Sequence, residues 1–318
     1  MPSSDMLVLH PDGLYCPAGD FYIDPWGGVG RALITHAHAD RAVPGSRAYL
    51  TAAAGEALLR ERAGAEAAVQ GAPYGERLTI GGVTVSLHPA GHILGSAQVR
   101  IERAGEVWVV SGDYKLAADP TCAPFELLRC DTFITGAAFG LPIFRWPRAE
   151  DAMADIANWW RANEDSGKLS VLYVHPVGMA QRVLASLDPA IGPIGLHEEV
   201  ERYCALYRAA GVDLPAGAEA RATLILAPPG WKPASGRLST AMAAGWMRIR
   251  GPRRRLSLDR GFVLSNHADW PDLLRVIEET GAESVWITHG YRGPMVRWLS
   301  EHGCAARAIE ARFEAEES

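Results

Sequence analysis

The sequence predicts an α/β protein built from a strand-rich frame and an inserted region in which helices and strands alternate. Residues 1 to about 140 contain short apolar runs separated by Gly and Pro, which is typical of strands joined by turns. From about 147 to 227 apolar runs alternate with segments of helical periodicity, and strand-and-turn patterns return afterwards. We therefore expect one large domain, residues 1–146 and 228–318, interrupted by a small α/β region at 147–227.

Short apolar runs place the strands of the first half. The segments expected to be strands are 31–35, 78–87, 97–101 and 107–111. An Ala-rich stretch from Thr51 to Val69 favours a helix. The first of these strands leads into a His-rich loop, and the last ends at Gly112-Asp113.

The inserted region is expected to alternate three helices with two strands. The expected helices are 148–162, 179–187 and 198–210, and the expected strands are 169–174 and 222–226. Beyond the insertion, the apolar runs 261–265 and 284–288 each lead to a histidine. Residues suited to metal chemistry therefore follow strands on both sides of the insertion.

Composition limits the class of protein. With 48% hydrophobic and 21% charged residues, the 318-residue chain is expected to be globular rather than disordered. No basic leader precedes an apolar run, and no apolar run reaches the length of a membrane span, so we expect a cytoplasmic protein without membrane contact. The five cysteines are widely spaced without a Cys-x-x-Cys pair, which argues against a disulfide framework or a zinc ribbon.

One basic segment contrasts with the net charge of −6. Positions 248 to 260 contain six arginines and one acidic residue, Asp259. A nuclease needs only a local positive surface, so Arg253, Arg254 and Arg255 are candidates for nucleic-acid contact. The alternative is a solvated hairpin without a ligand.

The strongest chemical signal is the segment Thr35-His36-Ala37-His38-Ala39-Asp40. In an extended segment alternate side chains share a face, so His36, His38 and Asp40 are expected to converge. Imidazole suits zinc, manganese or iron, and a nearby carboxylate can hold a second ion or a nucleophilic water. The small alanine spacers and the further histidines after strands favour metal binding over a polar surface turn.

Three further segments add candidate ligands at turns or strand ends. His92 lies in a Gly-flanked turn, where the backbone can approach a metal closely. Asp113 and His289 each follow an apolar run, and Asp113 is placed to bridge two ions. The complete set of candidate metal ligands is His36, His38, Asp40, His92, Asp113 and His289.

In this order the motifs resemble the metallo-β-lactamase superfamily. The closer resemblance, over nearly the whole chain, is to its DNA-processing branch with the Artemis-type nucleases, and within that branch to bacterial ligase-associated exonucleases. The segments that carry it are Gly19–Trp26, His88–His92, Ser111–Lys115, Asp119–Cys122, Phe139–Pro142, Gly245–Gly251 and His267–Trp270. The resemblance implies an αββα sandwich with a reduced β-CASP-like insertion. It also implies metal-dependent trimming of DNA ends beside an ATP-dependent DNA ligase and a helicase.

The resemblance further implies a role for each site residue. A first ion would be held by His36, His38, His92 and Asp113, and a second by Asp40, Asp113 and His289. The expected cofactor is zinc, as one or two ions, with manganese as an alternative. Asp40 would orient the attacking water, His267 would protonate the leaving oxygen, and Asp24 would support the site from behind without coordinating.

The sequence departs from the family's pattern at three positions. Arg41 stands where most relatives have a histidine for the second ion, and a guanidinium cannot be a ligand. Gly136 replaces a glutamate that orients the proton-donating histidine, and Asn266 stands where close relatives tend to have Asp. These changes preserve the site of the first ion. They weaken the site of the second ion and the histidine expected to donate a proton. Arg41 then either places a positive charge near a substrate anion or pairs with a neighbouring carboxylate.

The sequence is consistent with three functions. The leading one is an exonuclease that trims DNA ends in repair. The second is a hydrolase that acts on a small molecule through a single metal, which the three departures favour. The third is a catalytically impaired nuclease relative that binds DNA or protein as a module, without metal-dependent turnover.

Overall fold

A computed structural model describes residues 5–218, 221–233 and 236–310. The described residues contain three β-sheets and seven α-helices, in two compact units. The first unit comprises residues up to Ala118 together with Cys122–Pro142 and the chain from His267 onwards, and the second comprises Asp119–Thr121 and Ile143–Asn266. The chain thus leaves the first unit and returns to it after the second.

The first sheet of the first unit has six strands that neighbour one another in chain order. They are β1 (Val8–His10), β2 (Gly13–Cys16), β3 (Phe21–Ile23), β4 (Ala32–Leu33), β5 (Tyr49–Ala52) and β6 (Val69–Ala72). Strands β1 to β3 are antiparallel, and β3 to β6 are parallel. A 3-10 turn (Ala53–Gly55) and helix α1 (Glu56–Ala63) connect β5 to β6.

The second sheet has seven strands in the order β18-β17-β11-β10-β9-β8-β7. They are β7 (Leu78–Ile80), β8 (Val83–Pro89), β9 (Ala97–Arg103), β10 (Glu106–Val110), β11 (Thr132–Ala137), β17 (Ser284–Gly290) and β18 (Ala305–Ala308). Strands β7 to β10 form an antiparallel meander, whereas β10, β11, β17 and β18 are parallel. Helices α6 (Trp270–Thr280) and α7 (Arg292–Glu301) flank β17 in the chain.

Apolar side chains join these elements into layers within the first unit. One cluster combines residues of both sheets, among them Phe21, Leu33, Val99 and Trp286. A second cluster combines the second sheet with α6 and α7, and a third combines β4 and β5 with α1. The two sheets therefore share one apolar cluster, and strands of each sheet also pack against helices.

The second unit contains a fully parallel sheet in the order β13-β14-β12-β15-β16. Its strands are β12 (Leu169–Tyr173), β13 (Ile194–Leu196), β14 (Leu224–Ala227), β15 (Leu238–Ala243) and β16 (Arg260–Phe262). Its helices are α2 (Ala149–Asp165), α3 (Met179–Ser186), α4 (Glu198–Ala209) and α5 (Arg250–Arg255). The sequence-based insertion, 147–227, lies inside this unit. The unit continues to Asn266 because β15 pairs with β12, and β16 with β15.

Two local expectations differ from the structure. The helix expected over 51–69 is shorter, because Thr51 lies in the fully buried strand β5 and Gly64, with φ of 103°, ends the helix. The basic segment, for which a solvated hairpin was one of two interpretations, forms a 3-10 turn (Gly245–Arg248) followed by helix α5. Within the described ranges, no helix combines the length and apolar character needed to cross a membrane.

Candidate metal centre

The loop after β4 carries two buried histidines. His36 and His38 are 2% and 5% exposed, with ring centroids 4.9 Å apart. The backbone N–H groups of Arg41 and Ala42 both donate to the His38 carbonyl oxygen, at 3.1 and 2.8 Å, so the chain turns there. The extended backbone therefore ends at His38, and Asp40 lies in the turn that follows.

His92 approaches the two histidines from the loop after β8. Gly91 has φ of 73°, and a Cβ there would lie 2.3 Å from the Lys115 carbonyl oxygen, so glycine is needed for contact with the chain rather than with a ligand. Ser96 Oγ accepts a hydrogen bond from the His92 N–H at 3.1 Å. The His92 ring is fully buried, and its Nε2 lies 3.3 Å from His38 Nδ1.

The three imidazoles form a cluster that could hold a metal ion. Ring nitrogens of His36, His38 and His92 all lie within 4.8 Å of one another. Tetrahedral zinc with bonds of about 2.0–2.1 Å places neighbouring ligand nitrogens about 3.3–3.4 Å apart, close to the His38–His92 separation. Burial, reinforced by the neighbouring imidazoles, lowers the pKa of His92 well below its usual value. His92 is therefore neutral at physiological pH, the form in which imidazole binds metal.

A buried hydrogen-bond chain behind the cluster fixes the orientation of His36. Thr35 Oγ1 lies 2.7 Å from Asp24 Oδ2 and 3.0 Å from His36 Nδ1, and the Thr35 N–H donates to Asp24 Oδ1 at 2.8 Å. When the threonine hydroxyl donates to the carboxylate, its oxygen accepts from Nδ1–H, and Nε2 then carries the lone pair that can bind a metal ion. Asp24 therefore supports the cluster through Thr35, a residue that the sequence analysis did not single out.

Asp113, which follows β10, links the histidine cluster to the later histidines. One carboxylate oxygen lies 3.6 Å from His36 Nε2, and the other lies 2.9 Å from His289 Nε2. Together with His92 and His267, Asp113 forms a second group that could hold a metal ion. Burial disfavours the ionised form of Asp113, but the neighbouring His289 and Arg41 favour it more strongly. The pKa of Asp113 is therefore held well below its usual range. The carboxylate is therefore ionised.

His267 lies beside this group rather than apart from it. Its ring centroid is 4.6 Å from that of His92 and 5.7 Å from that of Phe139, and its Nδ1 is 4.0 Å from Asp113 Oδ1. Asp113 and His267 also line one small pocket with Gly136. The residue expected to donate a proton is thus placed next to the candidate ligands.

Arg41 is buried among the residues expected to hold a second ion. Its side chain is 2% exposed, with Nε 3.3 Å from Asp40 Oδ2 and Nη2 3.6 Å from Asp113 Oδ2. Nη2 also lies 3.2 Å from Nε2 and 3.3 Å from Nδ1 of His289. In the described part of the chain, Asp40 and His289 belong to neither group that could hold a metal ion. The Arg41 guanidinium lies among Asp40, Asp113 and His289 instead.

Gly136, the second departure, lies against the His289 ring. A Cβ at position 136 would be 2.0 Å from His289 Cε1 and 2.5 Å from Nε2. The imidazole is held there by Asp113 on one side and by Thr288 Oγ1, 2.8 Å from Nδ1, on the other. Any side chain at position 136 would therefore displace His289 from its contact with Arg41.

Asn266, the third departure, belongs to a buried polar cluster in the second unit. Arg182, from α3, donates to Asn266 Oδ1 at 3.1 Å and to the Ser265 carbonyl oxygen at 2.6 Å. Its Nε lies 3.6 Å from Asp119 Oδ2, and both side chains are nearly inaccessible. Arg182 thus fixes the segment that precedes His267 in the chain. The sequence of helix α3 contains no signal for this arginine besides helical periodicity.

The candidate nucleic-acid arginines lie on and near α5 of the second unit. Arg254 and Arg255 are exposed, while the side chain of Arg253 lies outside the described part of the structure. Arg248, in the preceding turn, donates from Nε to the Ile143 carbonyl oxygen at 3.2 Å. This contact joins the basic run to the segment that contains Ile143. The same segment carries two further exposed arginines, 145 and 148, which were not among the candidates.

Comparison with known proteins gives relatives named for nucleic-acid enzymes. No protein-family model matches the sequence. A protein named "Probable DNA ligase" from Opitutus terrae is 30% identical over 315 residues, which is 95% of this chain but 31% of that protein. Endoribonuclease YSH1 from Gibberella zeae and endoribonuclease ysh-1 from Neurospora crassa are each 28% identical over 142 residues, 44% of this chain and 16% of theirs.

These relatives are much longer than the segments that match. The chain spans about a third of the Opitutus protein and a smaller share of the fungal ones. A crystal structure of a protein of unknown function from Enterococcus faecalis has the same fold, with a TM-score of 0.58 and 12% identity. The match covers 89% of this chain and 80% of that one. The comparisons therefore fit, in broad terms, the resemblance to a nuclease family of mixed α/β fold.

Proposed function

We propose that this protein is a metal-dependent exonuclease that trims DNA ends in repair, with the αββα sandwich of the metallo-β-lactamases and a reduced β-CASP-like insertion. The observation that carries the proposal is the buried cluster of His36, His38 and His92, with Asp113 beside it. The layers of the first unit and the parallel sheet of the second unit support the fold assignment.

The residues present fit one metal ion well. His36, His38, His92 and Asp113 would hold it, since they offer three imidazoles and one ionised carboxylate. Zinc, or alternatively manganese, supplies Lewis acidity and acidifies a water molecule. Asp40, partly exposed beside Arg41, would orient the attacking water. His267, at the pocket shared with Asp113, would hold the proton that the leaving oxygen takes up.

Several observations favour DNA as the substrate. The relative that matches 95% of the chain is named as a probable DNA ligase, and two relatives that match 44% of it are named as endoribonucleases. The exposed Arg254 and Arg255 add local positive charge suited to phosphates. We propose DNA ends as the substrate, a cytoplasmic location, and an ATP-dependent DNA ligase and a helicase as partners.

The test is degradation of end-labelled linear DNA, single- and double-stranded, with Mn²⁺ or Zn²⁺ added to chelator-treated protein. We expect shortening of the linear substrates, while a covalently closed circle of the same sequence stays intact. Asp113→Ala should abolish the activity, whereas Asp213→Ala, at an exposed site, should keep it. Linear DNA left intact by protein that has bound metal would overturn the exonuclease proposal.

The placement of Arg41 favours one alternative, a single-metal hydrolase of a small ester or lactone. A guanidinium among Asp40, Asp113 and His289 removes the arrangement that a two-metal phosphodiesterase uses for its leaving group. A panel of chromogenic esters and lactones, assayed with the same metal-loaded protein, separates the two functions. Turnover of these compounds together with intact DNA would favour the alternative.

A further inference from the structure

We infer that the guanidinium of Arg41 is a built-in replacement for the second metal ion, and that the centre holds one ion per chain. The inference rests on the proposed metal centre but not on DNA as the substrate. The second ion expected from the sequence does not fit the residues present, because its three candidate ligands already contact Arg41.

Arg41 contacts the same three residues that were expected to hold a second cation. Nε faces Asp40, and Nη2 faces both Asp113 and His289, at separations of 3.2 to 3.6 Å. A guanidinium stays protonated in proteins, and here it lies beside the carboxylates of Asp40 and Asp113. The guanidinium therefore carries a permanent positive charge where the acidic residues need one.

Burial separates this role from that of a substrate-binding arginine. The Arg41 side chain is 2% exposed, and its charged groups face acidic residues of the chain. An arginine that receives a substrate phosphate needs donors directed into an accessible cleft. Of the two roles expected from the sequence, ion pairing with neighbouring carboxylates is the one that this geometry supports.

Gly136 completes the replacement. With a glutamate at this position, as the family pattern has, the side chain would start 2.0 Å from His289 Cε1, so His289 would have to move. Glycine lets the ring remain between Asp113 and Arg41. Gly136 and Arg41 therefore act on the same ring, since one leaves space for His289 and the other contacts it.

The experiment counts metal ions bound to purified full-length protein. Chelator-treated wild type and variants are dialysed against excess Zn²⁺, freed of loose metal and measured by elemental analysis. Electron paramagnetic resonance of Mn²⁺-loaded protein is the second measurement, because two neighbouring manganese ions couple whereas a single ion does not. We expect one ion and an uncoupled spectrum for the wild type.

Two substitutions separate charge from ligation. Arg41→His removes the guanidinium and adds a ligand, so we expect about two ions per chain and a coupled spectrum. Arg41→Met also removes the charge but adds no ligand, so it should bind fewer ions than Arg41→His. Circular dichroism and thermal melting establish that both variants fold.

The outcomes decide the inference independently of nuclease activity. Two ions in the wild type, or one ion in folded Arg41→His, would overturn it. If Arg41→His does not fold, the wild-type count decides alone, with one ion in support and two against. A one-ion centre that leaves DNA intact would retain this inference while the proposed function fails.

Discussion

The His289 imidazole lies directly over the backbone of Gly136, with Cε1 only 2.0 Å from where a Cβ would be. Gly136→Ala should therefore destabilise the protein by roughly 1–3 kcal/mol, since a buried methyl group must displace a ring held by Asp113 and Thr288. Urea unfolding measures this change. Gly30→Ala, where a Cβ meets no atom within 4 Å, should show no such loss. Equal stability of the two variants would contradict the close contact.

Thr35 is predicted to tune metal affinity without touching the metal. Thr35→Val keeps the shape of the side chain but removes the hydroxyl between Asp24 and His36. Because His36 loses the group that fixes its orientation, we expect metal affinity to fall by about 10- to 100-fold. Competition with a metallochromic chelator gives the affinity. Thr79→Val, at an exposed position of β7, should bind metal like the wild type.

Asp24 should make the stability of the metal-free protein depend on pH. Burial raises the pKa of Asp24 from 3.8 to about 6, against the opposing effects of Arg41 and Thr35. The folded state then holds this proton more tightly than the unfolded state, so the free energy of unfolding falls as pH rises from about 4 to 6. At 1.36 kcal/mol per pH unit the change is about 3 kcal/mol.

The matched variant is Asp24→Asn, which cannot ionise and should lose this part of the pH profile. Urea unfolding at several pH values between 4 and 7 measures both proteins. We expect the stability of the variant relative to wild type to increase with pH over this range. A constant difference between the two would show that Asp24 does not titrate there.

The exposed arginines of α5 should govern the salt dependence of DNA binding. Replacing Arg254 and Arg255 with Gln should weaken binding and reduce the slope of log affinity against log salt by roughly 2, if each contacts one phosphate. Fluorescence anisotropy with a labelled duplex at several salt concentrations measures the slope. The pair Arg275→Gln and Arg297→Gln removes the same charge from α6 and α7 and should leave the slope unchanged.

Local sequence patterns indicated much of the site, but not its long-range contacts. The structure brings His36, His38 and His92 together from two loops that follow strands. Asp40 lies in a turn closed by hydrogen bonds to the His38 carbonyl oxygen, and the alternation of an extended segment does not describe such a turn. The contact of Arg41 with His289 joins residues 248 positions apart, so neither local pattern reveals it.

The fold shows the same division between local and distant information. Helices α2 to α4 follow from their own periodicity, and the structure places them within a few residues of the expected bounds. Strand β15 was not expected, because its position depends on pairing with β12. Helix α6 was also missed, although Asp269 caps its start and Gly281 ends it in the left-handed region.

The pairing of β11 with β17 sets an order of events during synthesis. Thr132 pairs with Ser284, and the sequence of the second unit lies between them, so β11 cannot pair with β17 until that unit has been synthesised. His36, His38 and His92 are made long before His289, and Arg41 must wait for this partner. A nascent chain thus has its three candidate metal ligands before the residue that contacts the arginine. At that stage Asp113 still lacks the imidazole that later lies 2.9 Å from its carboxylate.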